Sequence, residues 1–141
     1  MEKLIIEYLE LFFAAYLIKF LFLRFISEIP YLKKYYYIRE ILPGVRNWDN
    51  RLKMIYYSEI FSISQSLLLA LLTMLSYYFL SINEYIKILI VFLIYLFIST
   101  FEKFKFVILM CDYPISLFTM NTIINIIILA IQFFVMGAII I

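Results

Sequence analysis

Histidine is absent from this chain of 141 residues, and cysteine occurs once, at Cys111. Haem and copper sites are usually built on His, iron–sulfur clusters on several Cys thiolates, and zinc sites on groups of both. A redox metal held by this chain alone is therefore not expected, and no Ser–His or Cys–His nucleophile pair can form. One Cys makes no internal disulfide, so redox compartment is not legible from it. Glycine occurs twice, at Gly44 and Gly137. That is too few for a GxGxxG or phosphate-cradling loop. Charge is scarce too: 16% of the residues are Asp, Glu, Lys or Arg, against about a quarter in ordinary soluble domains. A net charge of +2 is too small to suggest a nucleic-acid partner. These absences exclude most self-sufficient enzymes and leave no catalytic, metal or cofactor residue to nominate.

What is present is hydrocarbon. Two-thirds of the chain (67%) is apolar, 21% is Phe, Tyr or Trp, and the mean hydropathy is +1.03. A soluble domain of this size cannot cover that much apolar surface. The expectation is one integral membrane domain over 1–141, all-α and polytopic, with four or else three spanning helices. A short interfacial helix is expected in the long first loop, and bound lipid beside the protein. The opening stretch is not expected to be a cleaved signal peptide, because Glu2, Glu7 and Glu10 spoil its basic and apolar regions.

A spanning helix needs about 20 apolar residues. The second segment, Ile60 to Ile82, and the fourth, Ile115 to Ile141, contain no charge. Tyr56-Tyr57 and Tyr77-Tyr78 bracket the second at about 32 Å, the separation of two interfacial aromatic belts. The third, Ile88 to Phe101, is short. It spans if Lys87 snorkels and the helix begins near Asn83, where Ser81-Ile82-Asn83-Glu84 fits the S-x-x-E capping pattern. The first, Leu4 to Ile26, carries Glu7, Glu10, Lys19 and Arg24; it either spans with its ends snorkelling or lies in the interface. Between the first two segments runs a polar stretch, Ser27 to Glu59. Tyr31-Leu32 and Tyr35-Tyr36 suit the apolar face of the interfacial helix, Pro43-Gly44 a turn, and Trp48 an anchor. With four spans, Arg24, Lys33, Lys34, Arg39, Arg46, Arg51, Lys53, Lys103 and Lys105 gather on one side. Lys3 and Lys87 lie on the other. The positive-inside rule then puts the basic loops in the cytosol or matrix and the C-terminus on the far side.

Four polar features interrupt the apolar segments. Lys19 near a helix centre costs about 2.5–3.5 kcal/mol. It either pairs with a carboxylate of another helix or subunit, or snorkels to the headgroups near Arg24. On the second segment Ser62, Ser66 and Thr73 fall within about 40° of one another, with Glu59 near the same side and Gln65 and Ser76 widening the stripe. Helix packing is the favoured reading and a polar pathway the competitor. On the fourth segment Asn121, Asn125 and Gln132 share a side, again within about 40°, and must face protein or water rather than acyl chains. Asp112 and Pro114 read as the N-cap and first turn of the fourth helix.

Ile, Phe, Tyr, Lys, Asn and Met far outnumber Gly, Ala, Arg and Pro, the signature of an A/T-rich genome. Over its whole length, and by composition only, the chain resembles the hydrophobic respiratory-chain subunits encoded in A/T-rich mitochondrial genomes, ciliate ones in particular. Sharper motifs do not follow. The His ligands of cytochrome and oxidase subunits are missing, and the last Arg is Arg51, whereas the ATP synthase a-subunit carries one deep in a late helix. Pro43, Arg46 and Asp49 are loosely similar to a loop of the quinone-site subunit of complex I, without its surroundings. No functional residue is carried over. The resemblance implies an accessory subunit of an electron-transport or ATP-synthase complex in the mitochondrial inner membrane, with other membrane subunits as partners. The alternative membrane is the plasma membrane of an A/T-rich prokaryote. The alternative functions are a small homo-oligomeric transporter or channel and a lipid- or quinone-binding scaffold.

Overall fold

The structure, a computed structural model, describes residues 2–33, 50–110 and 115–141. Four long helices account for nearly all of them: α1 Glu2–Glu28, α2 Arg51–Phe79, α3 Glu84–Met110 and α4 Ile115–Ile140. At 26 to 29 residues each, they are about 40 Å long, longer than a bilayer core of about 30 Å. Three of them, over Leu52–Phe79, Glu84–Lys105 and Phe118–Ile140, are long and apolar enough to cross a membrane. α1 is equally long, but its acidic and basic residues keep it out of that class.

The helices extend beyond the apolar segments where local chemistry supports them. α2 begins nine residues before Ile60 because Asn50 caps it: backbone extended at φ −135°, ψ 116°, its side chain accepting from the Leu52 N–H at 2.9 Å. The polar stretch before the second span is thus partly helix. α2 ends where Leu80 turns extended and donates its N–H to the Ser76 carbonyl at 3.1 Å. Asn83, not Ser81, caps α3, accepting from the Tyr85 N–H at 3.1 Å. Asn83 stands directly before the first turn, where its side-chain oxygen reaches the Tyr85 N–H, and Glu84 then suits the positive end of the helix dipole. After α1, residues 30–33 are helical, held by Leu32 and Lys33 N–H groups donating to the Ile29 carbonyl. Lys33 Nζ donates to Glu28 Oε2 at 2.8 Å, which holds the Glu28 carboxyl below its usual range. Tyr35, Tyr36, Pro43-Gly44 and Trp48, on which the interfacial helix depends, lie outside the described residues, as do Cys111, Asp112 and Pro114.

Neighbouring helices run antiparallel. Tyr78 near the end of α2 meets Glu7 near the start of α1, Tyr16 meets Glu59, and Phe92 of α3 packs edge-on against Phe133 of α4. α1 packs most extensively on α2 and α4, and α3 on α4 and α2. The ends of the helices that flank the two basic connections therefore share one end of the bundle. The core is thin: Leu11 and Ala15 of α1, Leu69 and Ala70 of α2, and Leu129, Phe133 and Met136 of α4. Alanines at the α1–α2 contact let the backbones approach. Gly137 does the same between α4 and α3, where an added Cβ would lie 3.0 Å from Ile88 Cδ1.

Outside that core the surface is apolar on every helix. Leu21, Phe61, Phe97 and Phe134 are 61%, 72%, 66% and 78% exposed. Such a surface is stable in hydrocarbon and not in water. The described residues are helical almost throughout, with three helices long and apolar enough to cross a membrane, and many of their large apolar side chains turn out.

Candidate functional site

Polar side chains enter the bundle on three faces, and the structure separates them by what they touch. The row on α2 is consumed in packing. Ser62, Ser66, Thr73 and Ser76 are all buried. The Ser66 hydroxyl donates to the Ser62 carbonyl at 2.9 Å, Thr73 to Leu69 at 2.8 Å, and Ser76 to Thr73 at 2.7 Å. These are bonds within the helix, so the row presents small, satisfied surface to its neighbours. Glu59, at the open end of that row, accepts from the Tyr16 hydroxyl of α1 at 2.9 Å.

Gln132 is 1% exposed and reaches from α4 to the backbone of α1, donating to the Ala15 carbonyl at 2.6 Å. Asn121 and Asn125 do not follow it into the core; Asn121 is half-buried and Asn125 exposed. The three amides share a helical side but not an environment: Ile128, Leu129, Gln132, Phe133 and Met136, the buried side chains of α4, all lie in its C-terminal half. Lys87, expected to snorkel, instead folds inward. It is 9% exposed, donates to the Tyr77 carbonyl at 2.8 Å, and its ammonium lies 5.0 Å from the Tyr77 ring centroid. One of the last carbonyls of α2, unpaired by the helix itself, is thereby satisfied by a cation.

Among the described residues no carboxylate forms an ion pair with Lys19. Its Nζ donates to Gln65 Oε1 of α2, and Gln65 also lies beside the Tyr95 hydroxyl of α3. This pair forms the inner wall of a cavity of about 470 Å³ to which all four helices contribute, a volume within the range of small-ligand sites. Its polar lining includes Lys19, Gln65, Ser99, Lys103, Thr122 and Asn125, with Tyr95, Thr100 and Gln132 beside them. Its apolar lining includes Phe61, Leu96 and Leu129. Ser99 and Thr122 spend their hydroxyl protons on the carbonyls of Leu96 and Phe118 in their own helices. Lys103 and Asn125 have no hydrogen-bonding or ion-pair partner among the described residues, and both are exposed at the cavity mouth. The sequence identified Lys19 and Asn125 but not their meeting. It counted Lys103 only as a loop charge, and the hydroxyls of α3 carried no signal at all.

Along the helices the cavity residues lie about 10–25 Å from the ends that the basic segments connect. Among the described residues no group of His, Cys, Asp or Glu is placed to hold a metal ion. What the cavity offers is positive charge, amide donors and an apolar wall. In comparisons with known proteins, no family model, curated protein or solved structure matches the chain.

Proposed function

We propose that this chain is a small structural subunit of a large multi-subunit membrane complex, with all four helices crossing the bilayer and no redox centre of its own. The observation that carries the reading is the fate of the polar row of α2. Ser66, Thr73 and Ser76 bond within their own helix and cement α2 against α1 and α4, so they do not line a route across the membrane. Membership of a larger assembly is supported by α3. Only 6% of its spanning stretch is buried, against 33% for α2 and α4, which leaves a long apolar face for neighbouring helices. Four spans rather than three are supported by α1, whose Leu11 and Ala15 are fully buried against α2 and α4; a helix lying in the interface would leave both of those partners uncovered. The composition, rich in Ile, Phe, Tyr and Lys, supports assigning the assembly to the respiratory chain or ATP synthase of a mitochondrial inner membrane, with the basic connections on the matrix side.

Extraction in mild detergent followed by mass spectrometry of the copurifying chains tests this reading. A heteromeric particle containing respiratory or ATP-synthase subunits is the expected result. A closed ring of this chain alone sinks it in favour of a homo-oligomeric transporter or channel, which the charged cavity at Lys19 supports as the second reading. Ion flux through proteoliposomes separates the two. A channel loses flux on Lys19→Gln or Asn125→Leu, and a structural subunit shows no flux to lose.

A further inference from the structure

Two ammonium groups, from Lys19 of α1 and Lys103 of α3, line one cavity, and the charge of Lys103 acts on Lys19. Among the described residues no carboxylate lines that cavity. Glu59, whose charge does reach Lys19, already accepts the Tyr16 proton. Like charges brought together in a bundle surrounded by hydrocarbon are costly unless an anion sits between them. Lys19 uses one of its three protons on Gln65; Lys103 and the Asn125 amide have all of theirs to give. The volume of about 470 Å³ far exceeds a halide, and an apolar wall of Phe61, Leu96 and Leu129 suits an anion that carries hydrocarbon. Lys103 lies seven residues before the end of α3 at Met110, or about 10 Å. It also lies two residues before the end of the apolar stretch Glu84–Lys105, on the side of the basic connections.

We propose that this cavity binds a phosphate group, held by Lys19 and Lys103 with Asn125 at the mouth, as carried by an anionic phospholipid headgroup or by free phosphate. Lysines act on phosphate as point charges, and a choline headgroup would bring a third cation beside Lys19 and Lys103, where no described lining residue is a carboxylate. The inference rests on the chain being membrane-embedded and not on which complex it joins, so copurifying partners and phosphate binding stand or fall separately.

The test uses the full chain in mild detergent, delipidated and titrated with phosphatidylglycerol, phosphatidylcholine or inorganic phosphate, with occupancy read by native mass spectrometry. Phosphatidylglycerol is expected to bind at least tenfold more tightly than phosphatidylcholine. Lys19→Gln with Lys103→Gln is expected to weaken it at least tenfold, and Lys105→Gln, outside the cavity, less than twofold. Displacement by millimolar inorganic phosphate identifies a site for the free anion, and resistance to displacement identifies the lipid headgroup; either supports a phosphate site. Should the double variant misfold, Lys103→Gln alone, at the exposed mouth, is expected to lose at least threefold, and Lys19→Arg to retain binding. Equal affinity of wild type and Lys103→Gln for phosphatidylglycerol, or equal affinity of wild type for the two lipids, overturns the proposal.

Discussion

Gln132 and Lys87 show how single polar residues are accommodated in this bundle. Each reaches a backbone carbonyl of another helix, and each is shielded from hydrocarbon by doing so. Hydrogen bonds between helices in lipid contribute about 0.6–2 kcal/mol, and those with a charged donor about 1.5–3 kcal/mol. Gln132→Leu is therefore expected to lower the unfolding free energy of the bundle in detergent by about 1 kcal/mol. Lys87→Met should cost about 1.5–3 kcal/mol, because it also uncaps α2. Reversible unfolding in mixed micelles measures both, and a larger loss for Gln132→Leu would contradict the assignment. Glu59 and Glu7 gain phenol donors, Tyr16 at 2.9 Å and Tyr78 at 2.5 Å. Tyr78 was legible as part of a belt from its spacing and Tyr16 was not, and neither hydroxyl partner was, since those lie 43 and 71 residues away.

At the scale of the element, capping residues decide where these helices begin. Asn50→Ala removes the side-chain acceptor for the Leu52 N–H and is expected to cost about 1 kcal/mol. Faster amide exchange confined to the first turn of α2 would report it. Gly137 sets how near α4 comes to α3. A Cβ there meets only the tip of Ile88, a side chain that can shift. Gly137→Ala is accordingly expected to be tolerated with a small change in thermal midpoint. Gly137→Leu should force the two helices apart and lower the midpoint markedly, and equal midpoints for the two variants would remove the close-contact explanation. α2 and α4 were readable from their charge-free runs. α3 was readable only in part, because its last turns carry Lys103 and Lys105 and continue as helix past the apolar run that ends at Phe101.

For the whole molecule, antiparallel packing has a topological consequence. If all four helices span, Lys3 and Ile141 lie on the same side of the membrane, opposite the basic connections. Lys3→Cys and Ile141→Cys, each in a Cys111→Ser background, are expected to react with an impermeant maleimide from the same face of sealed vesicles. Labelling from opposite faces would leave α1 in the interface and reduce the spans to three. The Lys and Arg excess of the basic connections is then expected to govern orientation, and removing Arg51 and Lys53 together should weaken the bias.

Composition set the expectation of a membrane-embedded chain. Two-thirds apolar residues and scarce charge are more apolar surface than a soluble domain of this size is expected to hide from water. Helical periodicity likewise determined that Ser62, Ser66 and Thr73 share a side, and that Asn121, Asn125 and Gln132 do, since a face follows from residue spacing alone. Tertiary structure decided which members of each row are covered. It separated Gln132 from Asn125 by where α1 crosses α4, and it brought Lys19 to Gln65 and Lys103 to their shared cavity. Those meetings join residues 46 or more positions apart, and the sequence between them carries no record of the distance that packing closes.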